Sequence, residues 1–408
     1  MSFNISLTGI NSASKDLETT SNNLANAGTT GFKESRAEFN DLFAMDAMGI
    51  PRLAIGQGSR LANVGQMFNQ GSFDFTERSL DMAIEGDGFY RLDDDGEITY
   101  TRAGQFEVDR DGFIVNNTGK RLTGFQTDAD GNRVGDGRDH LELPTDGIPA
   151  RATSEVEIGA NLNADAEVMD PDNFDPADTD TFNESTTTTV FDSQGSARDA
   201  TIYFVKTGSN TWNAYTEVEG VEWEDEDQPY FGPQELTFDA SGNLVEGESA
   251  TYEAPYQAAV DDLEIDMDFG GVTQFARPFN VTSIRQDGYT AGEFQNVDVE
   301  PDGKIFARYS NGEAQVVGQV ALTGFPAQER LQSVGETSWE ATAEAGDPLI
   351  GIPGQGQFGR IESGALEQSN VDVAEQLVNM ITAQRNFSAN TRMVTTQDQM
   401  TQEVLNIR

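Results

Sequence analysis

Residues 1–33 read MSFNISLTGINSASKDLETTSNNLANAGTTGFK. Phe3, Leu7, Ile10, Leu17 and Leu24 fall on a 3.5-residue grid whose two remaining positions hold Ser14 and Ser21. That spacing keeps one side of an α-helix turned toward a partner. A helix is therefore predicted from about residue 4 to 27, ended by Asn26–Gly31 with its two glycines and no proline. The other terminus repeats the pattern: Val373, Leu377, Met380, Phe387 and Val394 keep the same spacing, and Ser369 with Asp372 reads as a capping box opening a helix that runs to near Arg408. A helix of about 24 residues is roughly 36 Å long and marginal in water by itself. Folding of both ends is thus expected to depend on packing between copies of the chain.

Between the ends the pattern changes to short alternating runs such as Ala200–Lys206 and Lys304–Tyr309, separated by Gly and Asp turns, which predicts β structure. Residues 165–188, dominated by Asp, Pro, Asn and Thr, read as a long surface loop inside an inserted domain. Near Gln286–Gly292 the chain returns to the domain it left around residue 148. Asn, Gly and aromatic content from Phe32 to Gly71 suggests an irregular arm.

Charge separates the same regions. The net charge of −45 over 408 residues is concentrated in residues 149–284, which hold 29 acidic against 4 basic groups. Residues 1–30 carry one basic and two acidic side chains, and residues 366–408 three and five. This contrast suggests a dry contact zone at the ends and a water-facing middle. So acidic a surface repels phosphate polymers and anionic headgroups, which excludes nucleic acid as a partner.

Several chemistries are removed by composition. Cys is absent and His140 is the one histidine, so disulfides, thiol nucleophiles, Cys/His metal sites and Ser/His/Asp arrangements are not available, and His140 reads as a surface residue. Asp93–Gly96, Asp109–Gly112, Asp128–Gly131 and Asp298–Gly303 invite a calcium reading. An EF-hand, however, needs Glu where Arg102, Thr118, Gly137 and Tyr309 stand, so hairpin turns are expected. Gly354, Gly356 and Gly359 spell G-x-G-x-x-G without the strand and helix that a dinucleotide site needs. The Glu222–Asp227 carboxylates read as a solvated face. No catalytic, cofactor or metal site is expected. No cleaved signal peptide or stretch of 18 apolar residues is visible, and the polar faces of the terminal helices carry too little Lys or Arg for a membrane-surface helix.

Ser21–Lys33 (SNNLANAGTTGFK) closely resembles the N-terminal signature of flagellar rod and hook axial proteins. Leu80–Tyr90 (LDMAIEGDGFY) with Tyr100–Gly104 (YTRAG) is similar to their core-domain motif, and Ser363–Asp372 (SGALEQSNVD) with Leu377–Phe387 (LVNMITAQRNF) to their C-terminal signature. Gln286–Gly292, Asn311–Gly324 and the inserted β domain resemble the hook branch specifically, while the acidic stretches 165–188 and 222–227 depart from it.

The resemblance implies an α+β multidomain fold in three radial layers. Residues 1–30 and 366–408 form an inner coiled-coil layer of helices and 31–72 a linker arm. Residues 73–148 and 285–365 form an inner β domain, and 149–284 an outer β domain inserted into it. It further implies an extracellular, non-enzymatic subunit that polymerises into the flexible tube of the flagellar hook, a universal joint passing torque from rod to filament. Implied partners are other copies of the chain, the distal rod protein, the hook cap scaffold, the hook–filament junction protein and the flagellar type III export apparatus, without membrane insertion. A distal rod protein would instead form a straight, stiff polymer and lack the 149–284 insertion. A secreted β-rich glycan-binding or hydrolytic protein would show a concave aromatic and carboxylate cleft.

Overall fold

Helix α1 (Ser2–Ala25) and helix α2 (Val373–Asn406) are the two ends of the chain, and they run antiparallel along one another. Both are rich in Thr and Asn, poor helix formers because their side chains compete for the backbone. Here they return hydrogen bonds to carbonyls of the preceding turn: Thr20 to Asp16, Asn390 to Asn386, Thr382 to Val378 and Thr391 to Phe387. The start of α2 corrects the expected capping box. Asp372, not Ser369, caps the helix, accepting the amides of Ala374 and Glu375 through Oδ1 at 2.8 and 3.2 Å, while the Ser369 hydroxyl accepts only the Val371 amide.

The structure, a computed structural model, describes residues 2–42, 56–128, 131–135, 137–221, 229–254 and 263–406. The Glu222–Asp227 run lies outside these residues. The chain divides into two units, Met1–Thr145 with Asn296–Arg308 and Ala314–Arg408, and Asp146–Gln295 with Tyr309–Glu313.

In the first unit the expected irregular arm is regular where it is described. Strands β1 (Ser35–Asp41) and β2 (Ser59–Gln66) form an antiparallel hairpin that packs on α1. Its strands are polar and half exposed: β1 alternates, with Ala37 and Phe39 half-buried between exposed Arg36, Glu38 and Asn40, while β2 loses the alternation after Leu61. Short strand β3 (Phe73–Phe75) pairs with Ala365–Glu367, and β4 (Met82–Glu85) with Arg360–Ser363, tying the chain before α2 to the chain after the arm. The main sheet places Arg121–Phe125 beside β5 (Phe89–Asp94), then β6 (Glu97–Thr101), Ser338–Glu340 and Gln332–Gly335. The β5–β6 loop is a two-residue turn, with Asp95 and Gly96 both at positive φ and Asp93 Oδ1 accepting the Gly96 amide. Phe89, Tyr100, Phe325 and Trp339 pack edge to face over this sheet. His140 is half-buried rather than a free surface residue, against Phe113 and with Nε2 3.2 Å from Asp93 Oδ2. The G-x-G-x-x-G glycines follow a short strand, Leu349–Gly351, but a strand and not a helix comes after them.

The second unit is a β-sandwich. A meander of Glu184–Phe191, Ala197–Lys206, Thr211–Val218, Phe231–Phe238 and Leu244–Glu246 shares a core with a sheet built around Glu155–Asn163. Alternate residues of the two sheets, such as Ile202, Phe204, Trp212 and Leu236 against Ile158 and Leu162, fill that core. Where the unit begins and ends, Ile148 and Gly292 exchange backbone hydrogen bonds of 2.9 and 3.0 Å. The stretch read as a loop over 165–188 is a loop only to Asn183. Thr186–Thr188 belong to a strand, as β-branched residues should on a half-exposed sheet, and Pro171–Asn173 form one 3₁₀ turn.

Candidate assembly surface

The α1–α2 seam is built from small and polar side chains. Ser6, Ala13 and Thr20 recur every seven residues on α1 and are buried; Gln376, Ala383 and Asn390 recur every seven on α2, the first two buried and Asn390 partly so. Asn23 Nδ2 donates to Gln376 Oε1 at 3.2 Å near one end of the pair. Near the other, Gly9 faces Asn390 so closely that a Cβ on Gly9 would stand 2.7 Å from Asn390 Oδ1. Small residues allow the backbones to approach, and the amides satisfy one another out of water.

Among the described residues, the fully buried positions of the two helices hold no large apolar residue. Phe3 and Leu7 are 49% and 44% exposed, and Val373, Leu377 and Phe387 are 46%, 44% and 37% exposed. Ile10, Leu17, Leu24, Met380 and Val394 are partly buried. Val378, Ile381, Met393 and Met400 add to the exposed set on α2. Exposed large apolar side chains grouped on one pair of helices mark a candidate interaction surface. Each large apolar side chain fully covered by a neighbour contributes on the order of 1.5–3 kcal/mol.

Beneath the helices lies an ionic cluster that reading the sequence did not identify. Lys33 Nζ donates to Glu367 Oε1 at 2.6 Å and to the Asn69 carbonyl at 2.9 Å. Arg102 donates to Glu367 Oε2 at 3.3 Å and to the Gly86 carbonyl at 2.8 Å. The Gly71 amide donates to Glu367 Oε1, and the Gly31 amide to the Glu367 carbonyl. Side-chain exposure is 0% for Lys33 and Glu367 and 2% for Arg102. Burial pushes the Lys33 ammonium below the usual lysine range, opposed by the attraction of Glu367. Burial likewise raises the pKa of the adjacent Tyr90 phenol, whose hydroxyl donates to the Met82 carbonyl. Gly31 closes the cluster at φ +70°, where any Cβ would fall 2.5 Å from the Ala103 nitrogen.

Two asparagines extend this junction by imitating backbone. Asn23 Oδ1 accepts the Ser35 amide while its Nδ2 donates to the Ser35 carbonyl. Asn370 Oδ1 accepts the Glu34 amide while its Nδ2 donates to the carbonyls of Met67 and Asn69. The residues following α1, those preceding α2 and the first strands are thus locked together. A cavity of about 410 Å³ beside them is lined by Asn22, Asn26, Gln105, Asn117, Glu336 and Trp339 among others, amides rather than a pair of carboxylates poised for hydrolysis.

Comparison with known proteins agrees with this arrangement from end to end. Residues 3–33 match the flagella basal body rod protein family, 83–163 the flagellar hook protein FlgE/F/G D1 domain, 161–289 the flagellar basal body protein FlaE D2 domain, and 362–407 the C-terminal region of the flagellar basal body rod FlgEFG proteins. The chain is 35% identical to the flagellar hook protein FlgE of Escherichia coli (strain K12), with 100% of each covered. It is 34% identical to that of Salmonella typhimurium (strain LT2), again over 100% of both. Its fold is similar to the crystal structure of Helicobacter pylori flagellar hook protein FlgE2, at a TM-score of 0.54 and 15% identity over 72% of this chain and 100% of that one.

Proposed function

The chain belongs to the flagellar hook protein family, and from that premise we propose how it works: the apolar faces of α1 and α2 join neighbouring copies into the wall of a tube. It is a structural subunit of the extracellular flagellar hook and not an enzyme. The observation that carries the assembly reading is the division of labour on the helices. Small and polar residues fill the buried positions of the helix pair within one copy, which leaves Phe3, Leu7, Val373, Leu377 and Phe387 exposed and Ile10, Leu17, Leu24, Met380 and Val394 partly exposed for contacts between copies.

The buried Lys33–Glu367–Arg102 cluster fixes the helices to the first β unit, so force on the helical layer passes into the β layer rather than being lost in a floppy joint. The tube is read as a flexible joint carrying torque from rod to filament, with the acidic 149–284 region outermost. A distal rod protein, a hook cap and a hook–filament junction protein are its proposed axial neighbours, and a type III apparatus its export route; a chain with no Cys passes such a route without disulfides to reduce.

Two measurements test this. Electron microscopy of polymer grown from the purified chain should show hollow tubes that curve. Because the chain has no native Cys, Leu7→Cys and Leu377→Cys give single thiols that should react with a maleimide in the monomer and be protected in the polymer. Straight rods would favour the distal rod reading. Equal labelling of monomer and polymer would place the interface elsewhere.

A further inference from the structure

In the second unit, the five-stranded meander has two covered faces, and only one of them belongs to the sandwich core. On the other, Tyr203, Val205 and Tyr215 are covered by the loop between Asn163 and Glu184. Phe174 is the centre of that cover: 7% exposed, it stacks on Tyr215 at 4.1 Å and meets Tyr203 and Tyr230 edge-on at 5.5 and 4.8 Å. Phe182, against Tyr203, and Met169 pack on the same cluster from the loop.

The loop is held at its root by Lys206. Its buried ammonium donates to the carbonyls of Ala164 and Ala166, and its backbone pairs with Met169 and with the Asn183 side chain. No carboxylate is among the hydrogen-bond partners described for Nζ. Every charged side chain from residue 164 to 183 is nevertheless acidic, and Asp170, Asp172, Asp175 and Asp178 flank Phe174 on both sides. Nearby Glu217 accepts the Tyr203 hydroxyl and adds a further negative charge beside the aromatic cluster.

We infer that this loop is a salt-dependent cover: repulsion among its carboxylates lifts it at low ionic strength, uncovering the aromatic face, and counterions let Phe174 seat. The opposing forces act at one place. Seating Phe174 gains apolar burial and ring contacts that salt does not weaken. The repulsion is among exposed charges, whose range falls from about 30 Å at 0.01 M salt to about 3 Å at 1 M. The sandwich core on the opposite face contains no part of the loop except a contact from Ala166, so the cover can open without unfolding the domain.

The absence of native Cys supplies the assay. Val205→Cys places a thiol beneath the cover, and Val190→Cys places one in the sandwich core. In the full-length chain, Val205→Cys should react with iodoacetamide, an uncharged reagent, roughly tenfold faster at about 10 mM than at about 1 M sodium chloride. Val190→Cys should stay slow at both. Adding Asp172→Asn, Asp175→Asn and Asp178→Asn, which keeps the side-chain carbonyls that accept backbone amides, should remove most of the salt dependence. Phe174→Ala should make Val205→Cys react quickly at either salt. Amide exchange at Asn173 and Phe174 in the unsubstituted chain gives the same readout should Val205→Cys fold poorly. Equal rates at both salts, a Val190→Cys rate that rises together with Val205→Cys, or a salt response unchanged by the Asn substitutions would each overturn the inference.

Discussion

Glu367→Gln removes one charge and almost no volume, which makes it a sharp probe of the junction. Among the described residues, Glu367 is the one carboxylate in hydrogen-bond contact with Lys33 and Arg102, at 2.6 and 3.3 Å, and the three side chains are buried to 2% exposure or less. Gln can still accept from the Gly71 amide through Oε1, but it offers an N–H toward one of the two cations where an oxygen stood. Two buried cations then lack a counter-charge. Breaking a buried pair in this way costs about 3–5 kcal/mol, a large share of the ~5–15 kcal/mol that holds a typical protein together. For a unit of this size that corresponds to a fall in Tm of roughly 6–20 °C. Urea unfolding of the monomer measures it, with Glu362→Gln at an exposed position as a control expected within about 0.5 kcal/mol of the parent. Lys33→Met is the informative contrast, since it leaves Arg102 and Glu367 matched one to one and should cost clearly less. If Glu367→Gln costs under about 1 kcal/mol, or Lys33→Met costs as much as Glu367→Gln, the cluster does not anchor the helices as described.

Leu377→Asp should abolish tubes while leaving thermal unfolding of the β units unchanged, since the residue is 44% exposed in one copy; tubes at normal yield would remove it from the proposed interface. Gly9→Leu should force α1 from α2 at Asn390 and lower assembly yield, read by sedimentation, whereas Gly9→Ala needs only a side-chain shift of Asn390 and should be tolerated far better. Burial works against ionising Asp287, but the Ser154 hydroxyl, the amides of Glu155 and Ser154 and the charge of Arg151 outweigh it and hold the carboxyl below the usual aspartate range. Its contribution to stability is therefore present above about pH 4 and lost as pH falls through the lower folded value, so acid unfolding of Asp287→Asn should be less steep there than that of the parent. Assembly should strengthen from low to molar monovalent salt, because net −25 in residues 149–284 opposes bringing copies together; a critical concentration flat with salt would contradict an outermost acidic region.

The terminal helices were legible because an apolar residue every three or four positions marks one face of a helix, a period no strand shares, and α1 and α2 occupy close to the predicted spans. The seam that joins them was not. Ser6, Ala13 and Thr20 with Gln376, Ala383 and Asn390 repeat every seven residues too, but without large apolar side chains that period raises no hydrophobic signal. The β1–β2 hairpin was missed for a related reason: Ala37 and Phe39 alternate with polar residues in β1, but two apolar residues in a polar strand are a weak signal, and β2 does not alternate past Leu61. The ionic cluster was hidden by distance, since Lys33 and Glu367 are 334 positions apart and only the fold joins them. Yet Lys33, Arg102 and Glu367 each stand inside one of the motifs by which the chain resembles its family, GFK, YTRAG and SGALEQSN. Their meeting gives those motifs a physical reason. On the proposed assembly, apolar side chains of the helices used on the subunit's own β unit would not be available to a neighbour. The attachment at this junction is made by buried charge and by asparagines that imitate backbone, which leaves Phe3, Leu7, Val373, Leu377 and Phe387 exposed for the contacts proposed between copies.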